Sequence, residues 1–437
     1  MKRIIIIGTG YVGLVSGAGI SDFGHRVRCV DIDKQKIDLL NNGGIPIYEP
    51  GLKTLISRNI NANRLTFTVD VEEAIKWAEF IFIAVGTPQG ENGDVDISAV
   101  IAVAEDIGKN LNNYKVICTK STVPIGTGKM IQKIIDQNNL NKIKYDYCSN
   151  PEFLREGSAV RDFLYPDRIV LGTTSDKAFE YLKDVYRSLY INKTPLVHTT
   201  VETAEMIKYA SNAFLAIKIS YINEVANLCD EIGADVHVVA KTLGMDGRIS
   251  PKFLHPGPGF GGSCFPKDTK ALVEIAKKYK IHMATVTAAI ETNIFQRKRM
   301  LSKLMDLLDN DLKGKIIAVL GLAFKQETDD VRDSPAIEII NSIHDTGGII
   351  KAYDPIANDS MKEIFPELDY KSNWHEAVEG CDAVVIMTEW NEFRSLDLEK
   401  LKNLMSQPVV LDTRNILNVS ELKRLEFKFD NVGRRVA

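Results

Sequence analysis

Three groups of residues in this chain have types and spacings that could do chemistry. Gly8, Gly10 and Gly13 form a Gly-x-Gly-x-x-Gly turn directly after the apolar run Ile4 to Ile7. Where a strand enters a helix, such glycines permit a tight turn, close approach of a pyrophosphate and close helix–strand packing. The phosphates then rest on the helix N-terminus. Asp31 closes the next expected strand, 23 residues after Gly8. An acid there accepts from a ribose 2′-hydroxyl and repels a 2′-phosphate, which favours NAD over NADP. Asp33 competes for that role. The second group is Gly259-Phe260-Gly261-Gly262-Ser263-Cys264-Phe265-Pro266-Lys267-Asp268. Flanking glycines let backbone amides approach a ligand, and a helix start beside Lys267 would lower a thiol pKa, as a nucleophile requires. The competing reading of any single cysteine is a small buried hydrophobe, the fate expected of Cys29, Cys148 and Cys229. The third group is Asn150 to Gly157. If that segment is helical, Glu152 and Glu156 share one face, and one could serve as a general base raised by its neighbour. A helix N-terminal turn, where Glu is simply favourable, stays open. Lys208 and Asn212 also stand four apart, on a long helical pattern where Lys208 could be an ordinary solvated lysine.

A nicotinamide site together with a thiolate implies a specific sequence of steps. Hydride loss turns an alcohol into an aldehyde, the thiolate adds, a second hydride leaves, and the thioester is hydrolysed. The sum is a four-electron oxidation of alcohol to acid with two NAD in succession.

The elements that must position these groups follow from the patterning. The continuous β-branched run Ile4–Ile7 reads as a strand buried on both faces of a parallel sheet, Arg26–Asp31, Phe80–Val85 and Lys115–Thr119 read as its next strands, and helical patterns lie between them at Val71–Trp77 and Ile97–Leu111. From Glu202 to Cys229 there is neither Gly nor Pro, and Met206, Ile207, Ala210, Ala213, Phe214 and Ile217 recur at helical spacing, so one long helix is expected. A further helix is expected to include Ala288–Leu308. The strand plan then repeats at Lys315–Leu320, Ile349–Asp354, Asp382–Thr388 and Val409–Arg414, without the glycine fingerprint. The expected fold is α/β: two Rossmann-like doubly wound parallel-sheet domains joined by a long central helix and a helical middle domain. The boundaries are drawn at 1–200, 201–310 and 311–437.

Composition narrows the function classes. The 437 residues are 45% hydrophobic and 26% charged, with a formal net charge of −4, which is ordinary for a globular protein and wrong for sequence-independent binding of nucleic acid or anionic membrane. The six cysteines are scattered, with no CxxC and no metal spacing, so neither a metal site nor a disulfide framework is expected. The charged start Met1-Lys2-Arg3 before Ile4 is not followed by a signal-peptide pattern, and no apolar stretch reaches the length of a spanning helix. A reducing, cytoplasmic setting is expected. The Arg434-Arg435 pair is expected in a solvated basic tail.

The motifs resemble the UDP-glucose/GDP-mannose dehydrogenase family over Met1 to about Asn415: Gly8 to Leu14, Lys120-Ser121-Thr122-Val123-Pro124, Asn150 to Gly157, Gly259 to Asp268, and Gly321-Leu322-Ala323-Phe324-Lys325. The resemblance implies NAD as cofactor and oxidation of UDP-glucose at C6 to UDP-glucuronate. It also implies a helical dimer core, hence a homodimer or higher homo-oligomer. It makes Cys264 the nucleophile, Lys208 and Asn212 the holders of the oxyanion, Asp268 and Thr122 the positioners of a water, and Glu152 the base for thioester hydrolysis. Gly8, Gly10, Tyr11, Val12, Gly13, Asp31, Lys36, Thr87, Thr122, Glu156 and Arg332 would contact NAD. Glu152, Phe153, Leu154, Arg155, Glu156, Lys208, Asn212, Phe253, Leu254, His255, Pro256, Gly257, Phe260, Gly261 and Lys325 would hold the nucleotide sugar. Arg248 would reach across the dimer and Arg414 would be a basic substrate contact.

Three rival functions share parts of this pattern. A sibling would oxidise GDP-mannose or a UDP-N-acetylhexosamine, although the Tyr165–Val170 run resembles the UDP-glucose branch. A two-electron 3-hydroxyacid dehydrogenase shares the plan but has no use for Cys264. A non-catalytic NAD sensor needs neither the thiol nor the lysine.

Overall fold

The computed structural model describes residues 1–90 and 93–434, in two units, Met1–Ser211 and Asn212–Ala437. In the first unit eight strands form one sheet: β1 (Arg3–Ile7), β2 (Arg26–Val30), β3 (Leu65–Thr68), β4 (Phe80–Ile83), β5 (Lys115–Thr119), β6 (Tyr145–Ser149), β7 (Ile169–Gly172) and β8 (Leu196–Thr199). Their order is β3-β2-β1-β4-β5-β6-β7-β8. All neighbours are parallel except β6 and β7. Ile4 to Ile7 are buried because helices cover both faces of β1, which a parallel sheet demands. The order reverses between β1 and β4, so the crevice beyond their carboxyl ends is the place where such sheets take ligands.

The second unit holds β9 (Ile316–Leu320), β10 (Ile349–Tyr353), β11 (Asp369–Tyr370), β12 (Ala383–Ile386), β13 (Val409–Asp412) and β14 (Lys428–Asn431), ordered β11-β10-β9-β12-β13-β14 and parallel throughout. The eight strands expected from sequence all form. Six more also form: β3, β6, β8, β11 and β14 are partly polar, and β7 is a four-residue apolar run, Ile169–Gly172, too short to stand out in the pattern. The helix Val201–Ile232 carries the chain from one unit into the other; its 32 residues measure about 48 Å at 1.5 Å per residue.

The expected solvated tail is corrected. The amide of Gly433 donates to Asp230 at 2.9 Å, the amide of Arg434 donates to Asn431 at 3.0 Å, and the Arg434 guanidinium lies 3.5 Å from Asp235. Asp230 is itself buried beside Lys303, which also reaches Asp430. Buried charges are kept only when paired, and this network holds Gly433 and Arg434 where composition alone suggested a solvated segment. Arg435 lies outside the described residues.

Candidate active site

The glycine turn does in space what its spacing promised. Gly8 has φ +103°, and a Cβ there would lie 2.5 Å from the Ala84 carbonyl oxygen on the β4 side. A Cβ on Gly13 would sit 1.9 Å from the Gly8 oxygen, so the helix Tyr11–Asp22 meets β1 backbone to backbone. Gly10 differs: a Cβ there meets nothing within 4 Å, which leaves open space over the helix start where a pyrophosphate fits. Gly13→Ala is therefore expected to lower thermal stability by about 1–3 kcal/mol through overpacking, together with NAD affinity, whereas Gly10→Ala should lower NAD affinity and leave the melting temperature nearly unchanged. Thermal melts and NAD titration of the two variants separate these effects.

Asp31 stands at the end of β2. One carboxylate oxygen accepts from the amide and hydroxyl of Thr9 at 2.8 and 2.6 Å, and Lys36 lies 3.8 Å away. Partial burial works to raise this carboxyl, but the Thr9 hydroxyl, the Asp33 and Thr9 amides and Lys36 outweigh it and hold it below its usual value. Asp33, the rival acid, caps the helix Lys34–Asn41 by accepting from the Lys36 amide. At the ends of β4 and β5, Thr87 donates to the Thr122 carbonyl at 2.9 Å, so these two candidates are coupled.

Asn150 to Gly157 follows β6 as an irregular loop, which corrects the helical reading and with it the shared face of Glu152 and Glu156. Glu152 instead accepts from the Leu154 amide, a local bond that competes with helix formation, and pairs with Lys208 of the long helix at 2.8 Å. The side chains of this pair are only 6% and 4% exposed. Burial would raise the Glu152 carboxyl, but the Lys208 ammonium, the Leu154 amide and Lys120 hold it below its usual value. The expectation of a carboxyl raised by Glu156 is thereby replaced by an ionised carboxylate. Lys208 is a buried lysine, which closes the solvated reading. Phe153 has the Arg168 guanidinium over its ring at 3.6 Å and Lys208 at 5.6 Å. Arg155 is exposed and forks onto Asp162 at 2.6 and 2.9 Å. Lys120, at the end of β5, is buried, donates to Asn150 at 3.3 Å, and is pushed down to about 8 by burial.

In the second unit Cys264 is the N-cap of the helix Phe265–Lys278 and is half-buried, whereas the other five cysteines are buried. One turn further on, Asp268 is 1% exposed and accepts from Asn212 and from Lys267, each at 2.6 Å. Lys267 is thus committed to a carboxylate. The loop before the thiol is scaffolded by amides that pattern reading missed: Asn223 accepts from the Gly257 amide at 2.8 Å, Asn293 bonds both backbone groups of Phe260, and Gln296 donates to the Gly257 carbonyl at 2.8 Å. Buried amides at helical spacing look like neutral core positions in a sequence and give no signal of this task. Gly261 and Gly262 pack against Phe324, next to Lys325, and Gly257 lies beside the Arg414 guanidinium. Phe253 takes φ +64°, Leu254, Pro256 and Phe260 are buried, and His255 is exposed. Arg414 donates to the Met387 and Phe324 carbonyls at 2.6 and 2.8 Å. Arg248 is 90% exposed and forks onto Asp246. Arg332 forks onto Asp330, while its carbonyl accepts from the Gly262 amide at 2.9 Å.

Two other missed residues hold segments of the first unit. Glu205, one turn before Lys208, accepts from the Gly126 and Gly128 amides at 2.6 and 2.8 Å at the start of the helix Thr127–Asn138, and burial raises it to about 7. Glu49 joins the Tyr11 hydroxyl to the Gly157 and Val160 amides. Among the described residues no cluster of three His, Cys, Asp or Glu could hold a metal, and no helix is long and apolar enough to cross a membrane.

A parallel sheet with its switch point under a glycine turn, room for a pyrophosphate, and an acid at the second strand end defines an NAD-dependent dehydrogenase. Family models match along the chain: UDP-glucose/GDP-mannose dehydrogenase family, NAD binding domain over residues 2–190, central domain over 202–294 and UDP binding domain over 318–419. The chain belongs to the UDP-glucose/GDP-mannose dehydrogenase family, and it is an NAD-dependent oxidoreductase. It is 47% identical to the UDP-glucose 6-dehydrogenase TuaD of Bacillus subtilis over 99% of its own length and 94% of that protein's. It is also 47% identical to the UDP-glucose 6-dehydrogenase of Rhizobium meliloti, over 99% of both. A UDP-glucose dehydrogenase structure from the hyperthermophilic archaeon Pyrobaculum islandicum superposes with TM-score 0.92 at 34% identity, covering 100% of this chain and 98% of that one.

Proposed function

We propose that this chain oxidises UDP-glucose at C6 to UDP-glucuronate with two NAD in succession, through a thiohemiacetal and a thioester on Cys264. The observation that carries the reading is the pairing of a half-buried thiol at a helix N-terminus with a buried Asp268 one turn on, clasped by Asn212 and Lys267. A helix N-terminus favours charge on the sulfur. The substrate comes from the likeness to UDP-glucose 6-dehydrogenases along nearly the whole chain.

NAD supplies the hydride acceptor at C6 in both oxidations. In the first, the C6 hydroxyl proton passes to a water held by Asp268 and Thr122. The Cys264 sulfur then adds to the C6 aldehyde carbon, and the carbonyl electron pair moves onto oxygen. Lys208 and Asn212 hold that oxyanion, a cation and an amide donor aimed at developing charge. Loss of the second hydride leaves a thioester. Glu152 takes a proton from water, the hydroxide attacks the acyl carbon, the C–S bond breaks, and the thiolate returns. The roles of Tyr11, Val12, Asp31, Lys36, Thr87, Glu156 and Arg332 toward NAD, and of the Phe253–Gly261 loop, Lys325 and Arg414 toward the nucleotide sugar, belong to the same proposal. So does the division into an NAD part, a helical part and a UDP part at 1–200, 201–310 and 311–437.

A homodimer accompanies this reading. Phe214, Tyr221, Leu228 and Ile232 are all exposed, Phe214 by 62%, and they recur along the long helix at sevens and a four, one apolar stripe. Arg248 is the residue proposed to reach across to the second copy.

A different nucleotide sugar is the second reading. It is favoured by the UDP-D-ManNAc dehydrogenase structure from Pyrococcus horikoshii, which superposes with TM-score 0.87 at 27% identity, covering 100% of both chains. Counting NADH per sugar decides the class: about two per UDP-glucose fits alcohol to acid, whereas one would mean alcohol to ketone and none a sensor. A higher kcat/KM for GDP-mannose or a UDP-N-acetylhexosamine would defeat the choice of UDP-glucose.

A further inference from the structure

Glu49 sits in Pro46-Ile47-Tyr48-Glu49-Pro50-Gly51, between the helices Lys34–Asn41 and Leu52–Asn61, yet it is only 6% exposed. One carboxylate oxygen accepts from the Gly157 amide at 2.6 Å and from the Tyr11 hydroxyl; the other accepts from the Val160 amide at 3.2 Å. The Tyr11 hydroxyl accepts in turn from the Gly157 amide at 2.8 Å. Tyr11 is the first residue of the helix that follows the glycine turn, and Gly157 ends the loop that begins beside Glu152. Burial raises the Glu49 carboxyl, while Tyr11 and the Val160, Gly157 and Ala159 amides oppose that rise. An acid so buried, facing backbone amides and one phenol, has no surface role. No part of the proposed reaction uses it.

We infer that Glu49 is a positioning residue: its carboxyl group ties the dinucleotide turn at Tyr11 to the 152–160 loop, and so sets Glu152 and the cofactor turn against each other. Three segments remote in sequence converge on this one group, and charge-assisted bonds from the Gly157 and Val160 amides hold the end of the irregular 150–157 loop and the start of the helix Ala159–Leu164. The kinetic half of the inference rests on the proposed reaction; the loop and cofactor halves do not.

Glu49→Gln keeps the size of the side chain and removes the charge. Hydrogen exchange should become about tenfold faster in peptides covering 152–160, the scale of one lost charge-assisted bond, with exchange in 201–232 unchanged. NAD should bind about fivefold more weakly, kcat should fall about tenfold, and KM for the nucleotide sugar should rise by about twofold or more, because residues 152–156 are also among the proposed sugar contacts. Tyr11→Phe, which leaves both amide bonds to Glu49 intact, should show a smaller loosening of the same loop. That variant decides the matter if Glu49→Gln does not fold. Unchanged exchange at 152–160 would overturn the inference. So would faster exchange with unaltered NAD affinity and kcat, since the bond would then be merely structural. Should the wild-type chain not oxidise UDP-glucose, the reaction proposal fails alone, and exchange and NAD affinity still judge Glu49.

Discussion

Replacement of Cys264 by alanine is expected to cut steady-state formation of uronic acid by about 10⁴-fold or more, the scale seen when a covalent nucleophile is removed. NAD affinity should stay within about twofold, because the glycine turn and Asp31 belong to another part of the chain. The reason for so large an effect lies in the division of labour. Without sulfur the first hydride can still leave, but an aldehyde has no route to a bound acyl state. Cys264→Ser keeps a nucleophile of the right shape with a far higher pKa, and it should stall at or just beyond the addition step. Pre-steady-state NADH formation and product analysis check both variants: about one NADH per site and no uronate from serine is expected, whereas normal uronate release would remove the thioester from the mechanism.

Glu152→Gln is the second large effect. The buried pair with Lys208 at 2.8 Å means that neutralising Glu152 leaves an ammonium buried without its carboxylate. Breaking a buried pair from one side costs about 3–5 kcal/mol, a large share of a total stability of about 5–15 kcal/mol, so a lower melting temperature is expected. The catalytic loss should fall on hydrolysis, by about 10²–10⁴-fold, the usual worth of a positioned general base. The pH dependence follows from the direction of the shift. The folded Glu152 carboxyl sits below its unfolded value, so its stabilisation is present above the unfolded range and is lost as pH falls through the folded value. In wild type the hydrolytic step should therefore persist through mildly acidic pH. In Glu152→Gln the acid-induced loss of stability from this pair should vanish. Melts and single-turnover rates between neutral pH and the carboxylate range test both statements.

The parts legible in the sequence were those governed by short-range rules. The β1 run and the Gly8–Gly13 turn could be read because parallel burial and backbone approach each restrict residue type locally. The helix Val201–Ile232 could be read from its freedom from Gly and Pro, though not the division of its apolar residues: Ala213 and Ala216 are buried while Phe214 and Tyr221 are exposed. Cys264 could be singled out because a glycine-rich loop is a poor place to bury a thiol. What failed was decided by partners distant in sequence. Glu152 and Glu156 have helical spacing, but Lys208, 56 residues away, and the Leu154 amide settle the conformation of Glu152. Arg434 looked solvated because nothing nearby in sequence announces Asp230, 203 residues before Gly433. Glu49, Asn223, Asn293 and Gln296 were passed over for the same reason. Their work is to satisfy backbone groups of remote loops, and a lone acid or amide carries no periodic mark of that.

The central claim is tested most directly by the mass of Glu152→Gln enzyme quenched in acid after mixing with UDP-glucose and excess NAD. The proposed chemistry requires about two NADH per site in the burst and a nucleotide-sugar acyl adduct on the peptide containing Cys264. Two NADH with that peptide unmodified, or an adduct on any other residue, would contradict it.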